Sequence, residues 1–315
     1  MIVIISNRDV HKEKNDHRLF GDSFNQQGQD FLRIATAEKM GEKKWKLKLL
    51  EEPKKFDDLQ PPSRKFFKKC LTETRKSKKP WVFFTHGFNQ SFLKNLNKCK
   101  EIEQYGTNVV AFSWPSNPGP QPIWKKKKEY NRAQKNARRS VIAFERTLEK
   151  LAAYMEEFSD NRCEVNFNMV VHSLGNYLFK NFVESDIFSS ETRIFNNVVL
   201  HEADCDNRNH IQWLERMSEA GRVYVTINKR DYVLNMSDKV NPDRLGNTIR
   251  NLNAENASYI DFSGAKGVGK SHRLWHEPAA KNPKIHSIFE QLFTGERPEQ
   301  ASVLKYHSSE NVYRL

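Results

Sequence analysis

Two continuous apolar runs constrain the fold of this 315-residue chain more than any other feature. They are Val82–Phe84 and Met169–Val171, and neither alternates apolar with polar residues. Strands that are buried on both faces have this pattern, which is typical of parallel sheets covered by helices. Because such short runs alternate with longer amphipathic stretches, the sequence predicts an α/β fold with a mostly parallel central sheet and helices on both faces.

The predicted elements follow from these periodicities. Strands are expected at Ile2–Ser6, Phe31–Ala37, Trp45–Leu50, Trp81–Thr85, Val109–Trp114, Val165–His172, Asn197–His201, Arg222–Asn228 and Ser258–Phe262. Helices are expected near Pro62–Lys78, Gln90–Gln104, Trp124–Phe158, Leu174–Glu184, Arg208–Ala220 and Pro278–Phe293.

Composition narrows the class of protein. Hydrophobic residues make up 37% of the chain, which is enough for a sizeable core and excludes full disorder. No apolar run approaches the roughly 18 residues of a membrane span, and the apolar opening Met1–Ser6 is too short for a signal peptide. Four scattered cysteines form no C-x-x-C pair, so neither a disulfide framework nor a cysteine zinc site is expected. These features predict a cytoplasmic protein.

We expect one domain, because the chain has no internal repeat and no Gly/Ser-rich linker. The prediction places this domain at residues 1–294, whose first 80 residues supply strands and a helix. Residues 115–135 are interpreted as a lid or as the start of a basic helix, since they begin in a Pro- and aromatic-rich loop. Residues 295–315 are polar and weakly patterned, which favours a tail or a segment that docks late.

The strongest local signal for chemistry surrounds Ser173. The buried strand Val170–His172 runs into Ser-x-Gly and then into a helical stretch, which is the context of a nucleophile elbow. Such a turn favours small residues two positions before and after the serine; Gly175 meets that need and Val171 does not. The alternative is an ordinary strand-to-helix turn with Ser173 as helix N-cap.

A second strand, Trp81–Thr85, ends in His86-Gly87 about 85 residues before the serine. In acyl-transfer enzymes with a nucleophile elbow, a loop of this kind donates a backbone N–H to the oxyanion hole, and the residue after the nucleophile donates the other. That second donor is Leu174 here. The two motifs in this order favour the elbow interpretation.

A serine nucleophile needs a histidine base and a carboxylate that orients it, and the chain order is serine, acid, histidine. Asp231 follows the strand Arg222–Asn228 and is the favoured acid, with Asp204 as the alternative. His272 lies in the loop after the last predicted strand and is the favoured base, with His276 as the alternative.

These motifs together resemble the alpha/beta-hydrolase superfamily, and within it a bacterial subfamily catalogued as a domain of unknown function. The matching segments are His86–Phe92, Phe112–Ser116, His172–Asn176, Asp231–Ser237, Arg244–Gly246 and the late His272. The resemblance implies Ser173, Asp231 and His272 as a catalytic triad and the amides of Phe88 and Leu174 as oxyanion donors. It implies an esterase- or lipase-like acyl hydrolase that needs no metal and no cofactor, and it supplies no substrate.

Gly264–Ser271 satisfies G-x-x-x-x-G-K-S, the pattern of a phosphate-binding loop. Such a loop needs a full helix after it, because the N-terminus of that helix helps to bind the phosphate. Here Pro278 follows Ser271 within a few residues, and the rest of the chain is too short to complete a nucleotide-binding sheet. We therefore interpret it as a glycine loop that presents His272, and rank nucleotide-dependent activity third among the functions considered.

The chain has a net charge of +13, which favours contact with polyanions in general. A cluster of four lysines, Lys125, Lys126, Lys127 and Lys128, begins a long helical stretch. It is either a solvated helix face or a contact for anionic phospholipid or nucleic acid. The sequence thus gives two leading hypotheses: a serine hydrolase acting on an ester, thioester or amide, and a catalytically silent hydrolase-fold protein that binds an anionic partner.

Overall fold

A computed structural model describes residues 1–42, 44–51, 61–117, 119, 126–158 and 165–315. The chain forms two compact units. The first comprises Met1–Phe83 and Asn89–Asn166, and the second comprises Phe84–Phe88 and Phe167–Leu315.

The first unit contains mostly N-terminal strands and the longer helices. Its strands are β1 (Ile2–Ser6), β2 (Arg8–Val10), β3 (Phe20–Phe24), β4 (Arg33–Lys39), β5 (Trp45–Leu49), β6 (Trp81–Thr85, which ends in the second unit) and β7 (Asn108–Ser113). Its helices are α1 (Pro62–Ser77), α2 (Phe92–Glu103), α3 (Lys126–Arg139) and α4 (Val141–Phe158).

Strand β1 lies at the centre of this unit, because every one of its residues is buried. It pairs in parallel with β7 and antiparallel with β4, which in turn pairs antiparallel with β5. Just after β1, the fully buried Arg8 donates hydrogen bonds to Ser113 Oγ at 2.9 Å and to the Gln90 carbonyl at 2.8 Å. Burial lowers the Arg8 pKa to about 10, although the neighbouring Asp22 carboxylate opposes that shift.

The second unit holds the parallel strands. They are β8 (Phe167–His172), β9 (Asn197–His201), β10 (Arg222–Ile227) and β11 (Ala257–Asp261), followed by β12 (Lys305–His307) and β13 (Val312–Arg314). Its helices are α5 (Gly175–Glu184), α6 (His210–Leu214), α7 (Tyr232–Ser237), α8 (Glu277–Lys281) and α9 (Pro283–Thr294). The strand order is β8-β9-β10-β11-β13-β12, and each pair is parallel except β12–β13.

The register of these strands determines where functional side chains can lie. His172 is paired with His201, His201 with Thr226, and Ile227 with Asp261. The carboxyl ends of four parallel strands therefore reach the same edge of the sheet. Residues that follow β8, β9, β10 and β11 are the candidates for a site, as ligands and substrates bind at this edge in α/β folds.

Most predicted strands have the expected bounds within two residues, and β6 and β9 match at both ends. The long helix expected at 124–158 is instead two helices, α3 and α4, separated at Ser140. Helical backbone bonds continue across Ser140, whose amide donates to the Asn136 carbonyl at 3.0 Å and whose carbonyl accepts from the Phe144 amide at 2.9 Å.

The C-terminal segment 295–315, expected as a tail or as a segment that docks late, joins the sheet of the second unit. It contributes β12 and β13, and β13 pairs in parallel with β11 through Ile260 and Tyr313. These strands have three residues each, too short for a clear alternating pattern in the sequence. A single domain over residues 1–294 stays a prediction.

Candidate active site

Ser173 occupies a sharp turn between β8 and α5. Its φ of 56° is left-handed, a conformation that non-glycine residues rarely adopt, and its side chain is buried. The turn is held by the Ser173 amide, which donates to the His201 carbonyl at 3.0 Å, and by the Asp204 amide, which donates to the Ser173 carbonyl at 3.2 Å. Val171 does not prevent the turn: it is fully buried in β8.

Two glycines make the close packing around this turn feasible. A Cβ on Gly175 would lie 2.8 Å from the His86 carbonyl oxygen, and a Cβ on Gly87 would lie 2.6 Å from Ser173 Cβ. The same Gly87 Cβ would be 2.9 Å from the Leu174 amide nitrogen. The His-Gly loop after β6 therefore touches the serine turn, and the Leu174 amide lies ahead of the first turn of α5, where amides have no intrahelical acceptor.

The side chains of Ser173, His272 and Asp231 form one hydrogen-bonded chain. Ser173 Oγ is 2.8 Å from His272 Nε2, and His272 Nδ1 is 2.5 Å from Asp231 Oδ2. An ionised carboxylate only accepts, so His272 Nδ1 carries the proton and Nε2 is left to accept the serine hydroxyl proton. The favoured residues of the sequence analysis thus lie together in the arrangement that serine activation needs.

Asp231 is fixed by the helix that follows it. Its Oδ1 accepts hydrogen bonds from the amides of Val233 at 2.8 Å and Leu234 at 3.1 Å, as the N-cap of α7. Burial opposes ionisation of this carboxyl, but its contacts with Glu202 and His272 and the Leu234 amide lower its pKa overall. Asp231 is therefore ionised at neutral pH while fully buried.

A second carboxyl, Glu202, lies beside this acid. Glu202 follows β9, has a φ of 45° and is completely buried. Atoms of Glu202, Asp231 and His272 lie within 4.8 Å of one another, and the Glu202 carboxyl is hydrogen-bonded to the Asp231 carboxylate. Burial, and then the negative charges of Asp231 and Asp261, raise the Glu202 pKa well above its usual range.

These three side chains could in principle offer one ligand atom each to a metal ion. The His272 Nδ1 atom and Asp231 Oδ2 are, however, already joined by their hydrogen bond, and a metal between them would replace it. The hydrogen-bonded chain accounts for the cluster directly, and we derive no metal chemistry from it.

Two buried histidines hold the loop that carries His272. His172 Nε2 lies 2.9 Å from the His272 carbonyl, so it must donate a proton to it. The Leu274 amide donates to His201 Nε2 at 3.3 Å, which leaves His201 Nδ1 to donate to Thr226 Oγ1 at 2.8 Å. Both rings are thus assigned one tautomer by their partners. Sequence reasoning missed this role, although both residues end predicted strands.

The alternative acid and base are not members of the hydrogen-bonded chain that joins Ser173, His272 and Asp231. Asp204 Oδ1 accepts from the Ser237 hydroxyl at 2.7 Å and lies 3.6 Å from Arg244 Nη1, a fully buried guanidinium. His276 precedes α8, whereas His272 makes the bonds to Ser173 and Asp231. Asp204 therefore anchors the loop after β9, and the structure does not bring it to the base.

The glycine loop Gly264–Ser271 lies between β11 and His272 and leads into turns, with the next helix, α8, beginning only at Glu277. Asn228 Nδ2 donates to the carbonyls of Gly269 at 3.3 Å and Ser271 at 2.8 Å. These bonds connect the end of β10 to the residues just before His272, in keeping with a loop that presents the histidine.

Part of the basic stretch falls outside the described residues. Lys125 and part of the expected lid, residues 118 and 120–125, are not described. Lys126 begins α3, and Lys127 and Lys128 are exposed on it. A contact of these lysines with an anionic partner stays a prediction.

The family model for alpha/beta hydrolases of unknown function (DUF900) matches residues 63–297, which is well over half of the chain. The chain therefore belongs to this family and has the alpha/beta-hydrolase fold, with a mostly parallel sheet. No curated protein matches it. Within the described ranges, the helices are too short or too polar for any of them to span a bilayer.

Proposed function

We propose that this alpha/beta hydrolase is a serine hydrolase that cleaves an ester, thioester or amide. The observation that carries the proposal is the hydrogen-bonded chain from Ser173 through His272 to Asp231, with the serine on a left-handed turn. A structural serine needs neither a strained backbone nor a histidine oriented by a buried carboxylate.

In the proposed reaction, Ser173 Oγ attacks the substrate carbonyl carbon while His272 Nε2 accepts the hydroxyl proton. The oxygen that becomes negative is stabilised by backbone amides, for which Leu174 and Phe88 are the candidates. His272 then donates the proton to the leaving group, which departs and leaves an acyl-serine. Water, deprotonated by the same nitrogen, hydrolyses that ester and restores the serine.

Asp231 has the role of orienting His272. Because its Oδ1 is fixed by two amides of α7, its Oδ2 is held toward His272 Nδ1. The ionised carboxylate keeps the histidine in the tautomer that accepts from serine and stabilises the imidazolium formed during attack.

Turnover of an acyl-ester, thioester and amide series tests the proposal. Ser173→Ala is expected to reduce kcat by at least about 10³-fold, because no other hydroxyl occupies the elbow. Ser218→Ala is the matched control, since Ser218 is an exposed serine of the same unit. Comparable turnover by the Ser173→Ala protein would contradict the proposal.

The competing hypothesis is a catalytically silent protein that binds an anionic partner through its basic surface. It has support in the charge of +13 and in the exposed Lys127 and Lys128. It predicts no turnover of any substrate class by the folded protein. The esterase- or lipase-like preference, the absence of any cofactor requirement and the cytoplasmic location stay predictions.

A further inference from the structure

The residues directly after the catalytic-acid candidate form an exposed apolar surface, here named the α7 patch: Tyr232, Val233, Met236 and Val240. Their side chains are 60%, 41%, 43% and 45% exposed. Among the described residues, ten large apolar side chains are this exposed, and four of them fall within these nine consecutive positions. Isolated exposed apolar residues are ordinary, but a cluster marks an interaction surface.

The α7 helix is amphipathic, so the side that carries the apolar patch faces solvent. Leu234 is fully buried and Ser237 nearly so, which places the opposite side of the helix against the protein. Asp231 caps the helix through the amides of Val233 and Leu234. The patch therefore begins one residue from the carboxylate that contacts His272, at the edge of the site.

The patch is flanked by exposed cations. Lys239 lies between Met236 and Val240, and the Lys270 carbonyl accepts from the Tyr232 amide at 3.3 Å. Lys229 and Arg230 precede Asp231, but Lys229 Nζ lies 3.9 Å from Asp261 and Arg230 donates to the Ser263 carbonyl. Of the other acids near the patch in sequence, the exposed Asp243 lies 3.8 Å from Arg250 Nη1, and Asp238 lies within the patch segment itself. Its carboxylate accepts from the Arg244 amide and from Asn247 Nδ2.

We propose that the α7 patch docks on an anionic phospholipid surface. Exposed apolar side chains that enter the headgroup region, flanked by Lys and Arg, are the features of reversible interfacial binding. Tyrosine is also favoured at the boundary between water and lipid. A second copy of the chain is a poor occupant, because a two-fold contact would bring the same cations of both copies together.

Docking in this orientation has a consequence for substrate that rests on the proposed function. The surface would lie beside Ser173 and His272, so an ester or amide of a lipid could reach the site without crossing bulk water. The substrate class inferred is therefore an acyl lipid presented at a membrane surface rather than a freely soluble ester.

The test is flotation of the full chain with vesicles of phosphatidylcholine, with or without phosphatidylglycerol. We expect binding to the vesicles that contain phosphatidylglycerol. Met236→Ser with Val240→Ser is expected to weaken that binding by about tenfold or more, and Lys239→Glu with Lys270→Glu to weaken it comparably. All four positions are exposed, and circular dichroism checks that each variant is folded.

Matched controls use exposed residues that are not part of the patch. Ile142→Ser with Ile187→Ser removes equally exposed apolar side chains, and Lys284→Glu with Lys305→Glu makes the same charge change outside the patch segment. The proposal is overturned if the unchanged protein ignores phosphatidylglycerol, if controls and patch variants lose binding equally, or if only the lysine variants lose it. The last result would indicate general attraction between a basic protein and an anionic surface.

Ser173→Ala separates docking from hydrolysis. This variant is expected to bind vesicles as the unchanged protein does, because its side chain lies in the buried turn and not in the patch. Failure of vesicle binding would therefore refute the docking surface alone, and turnover by Ser173→Ala would refute the hydrolase proposal alone.

Discussion

The turns after β8 and β9 lie side by side at one sheet edge. Each contains a residue with a positive φ, but the two turns place different side chains at the site. Ser173 and Glu202 both have a positive φ, 56° and 45°, which costs a non-glycine residue on the order of 1 kcal/mol or more. The first turn leads into α5 and places a hydroxyl on a histidine. The second leads into a loop packed against Gly246 and leaves a carboxyl buried beside Asp231.

Because of this difference, Asp231 and Glu202 can lie at one site and still differ in protonation. Asp231 accepts hydrogen bonds from the Glu202 carboxyl, from His272 and from two amides, so its pKa is lowered in spite of burial and it stays charged. Glu202 is buried beside the Asp231 charge and donates to it, so its pKa is raised and it is neutral at neutral pH. Only the ionised carboxyl can accept from His272 Nδ1 and orient it.

The largest effect that sharpens this comparison is expected for Asp231→Asn. An amide at this position can donate to His272 Nδ1 and favour the wrong tautomer, so kcat is expected to fall by about 10⁴-fold. Glu202→Gln replaces one neutral group with another and is expected to lower kcat by less than about tenfold. Steady-state kinetics of both variants check this pair, and equal losses would mean that the two carboxyls share the role.

The next largest effect is expected for Gly246→Ala, which changes the packing of the turn after β9 and should lower the free energy of unfolding. A Cβ on Gly246 would lie 2.2 Å from the Ala203 amide nitrogen and 2.8 Å from Glu202 Cα, so Gly246→Ala must displace backbone. We expect a loss of about 1–3 kcal/mol in the free energy of unfolding, measured with urea. The control is Gly264→Ala, where a Cβ meets no atom within 4 Å. A Gly246→Ala protein as stable as this control would disprove the tight contact.

A smaller effect is expected in how stability depends on pH. An acid whose pKa is raised by folding binds more protons in the folded state, so its stability contribution falls as pH rises above the unfolded value of about 4.3. Glu202→Gln removes this pH-dependent contribution to stability. The free energy of unfolding of the variant should therefore exceed that of the unchanged protein by more at pH 8 than at pH 5.

Urea unfolding at both pH values measures the difference, with Glu219→Gln as the control for losing a carboxyl at an exposed position. Asp231 gives the opposite sign, because its lowered pKa provides stability that is lost only as pH falls through the folded value. A Glu202→Gln advantage that shrinks between pH 5 and pH 8 would contradict a neutral Glu202.

Sequence reasoning predicted most of the fold because the central strands are continuous apolar runs. β6 and β9 are buried at every residue, and each contains a continuous apolar run, Trp81–Phe84 and Val198–Leu200. It missed β2, β3, β12 and β13, whose three to five residues carry no usable period. It also missed the division of the long helix at Ser140, because no Gly or Pro marks that position in the sequence.

At the site, chain order was enough to bring Ser173, Asp231 and His272 together as candidates, because each follows a different parallel strand. Chain order could not separate Glu202 from Asp204, both of which follow β9. The separation comes from tertiary partners: Arg244 and Ser237 hold Asp204, while Glu202 turns toward Asp231. Sequence reasoning also could not predict that the α7 patch is exposed, since apolar residues of this kind are usually found in the core.

The most direct test of the central claim is fluorophosphonate labelling of the folded protein, followed by peptide mass mapping. An activated serine is required for this reaction, and no knowledge of the substrate is needed. The account predicts a single adduct on the peptide that carries Ser173, lost in Ser173→Ala and retained in Ser218→Ala. An adduct on another residue, or folded protein that remains unlabelled, would contradict the assignment of Ser173 as the nucleophile.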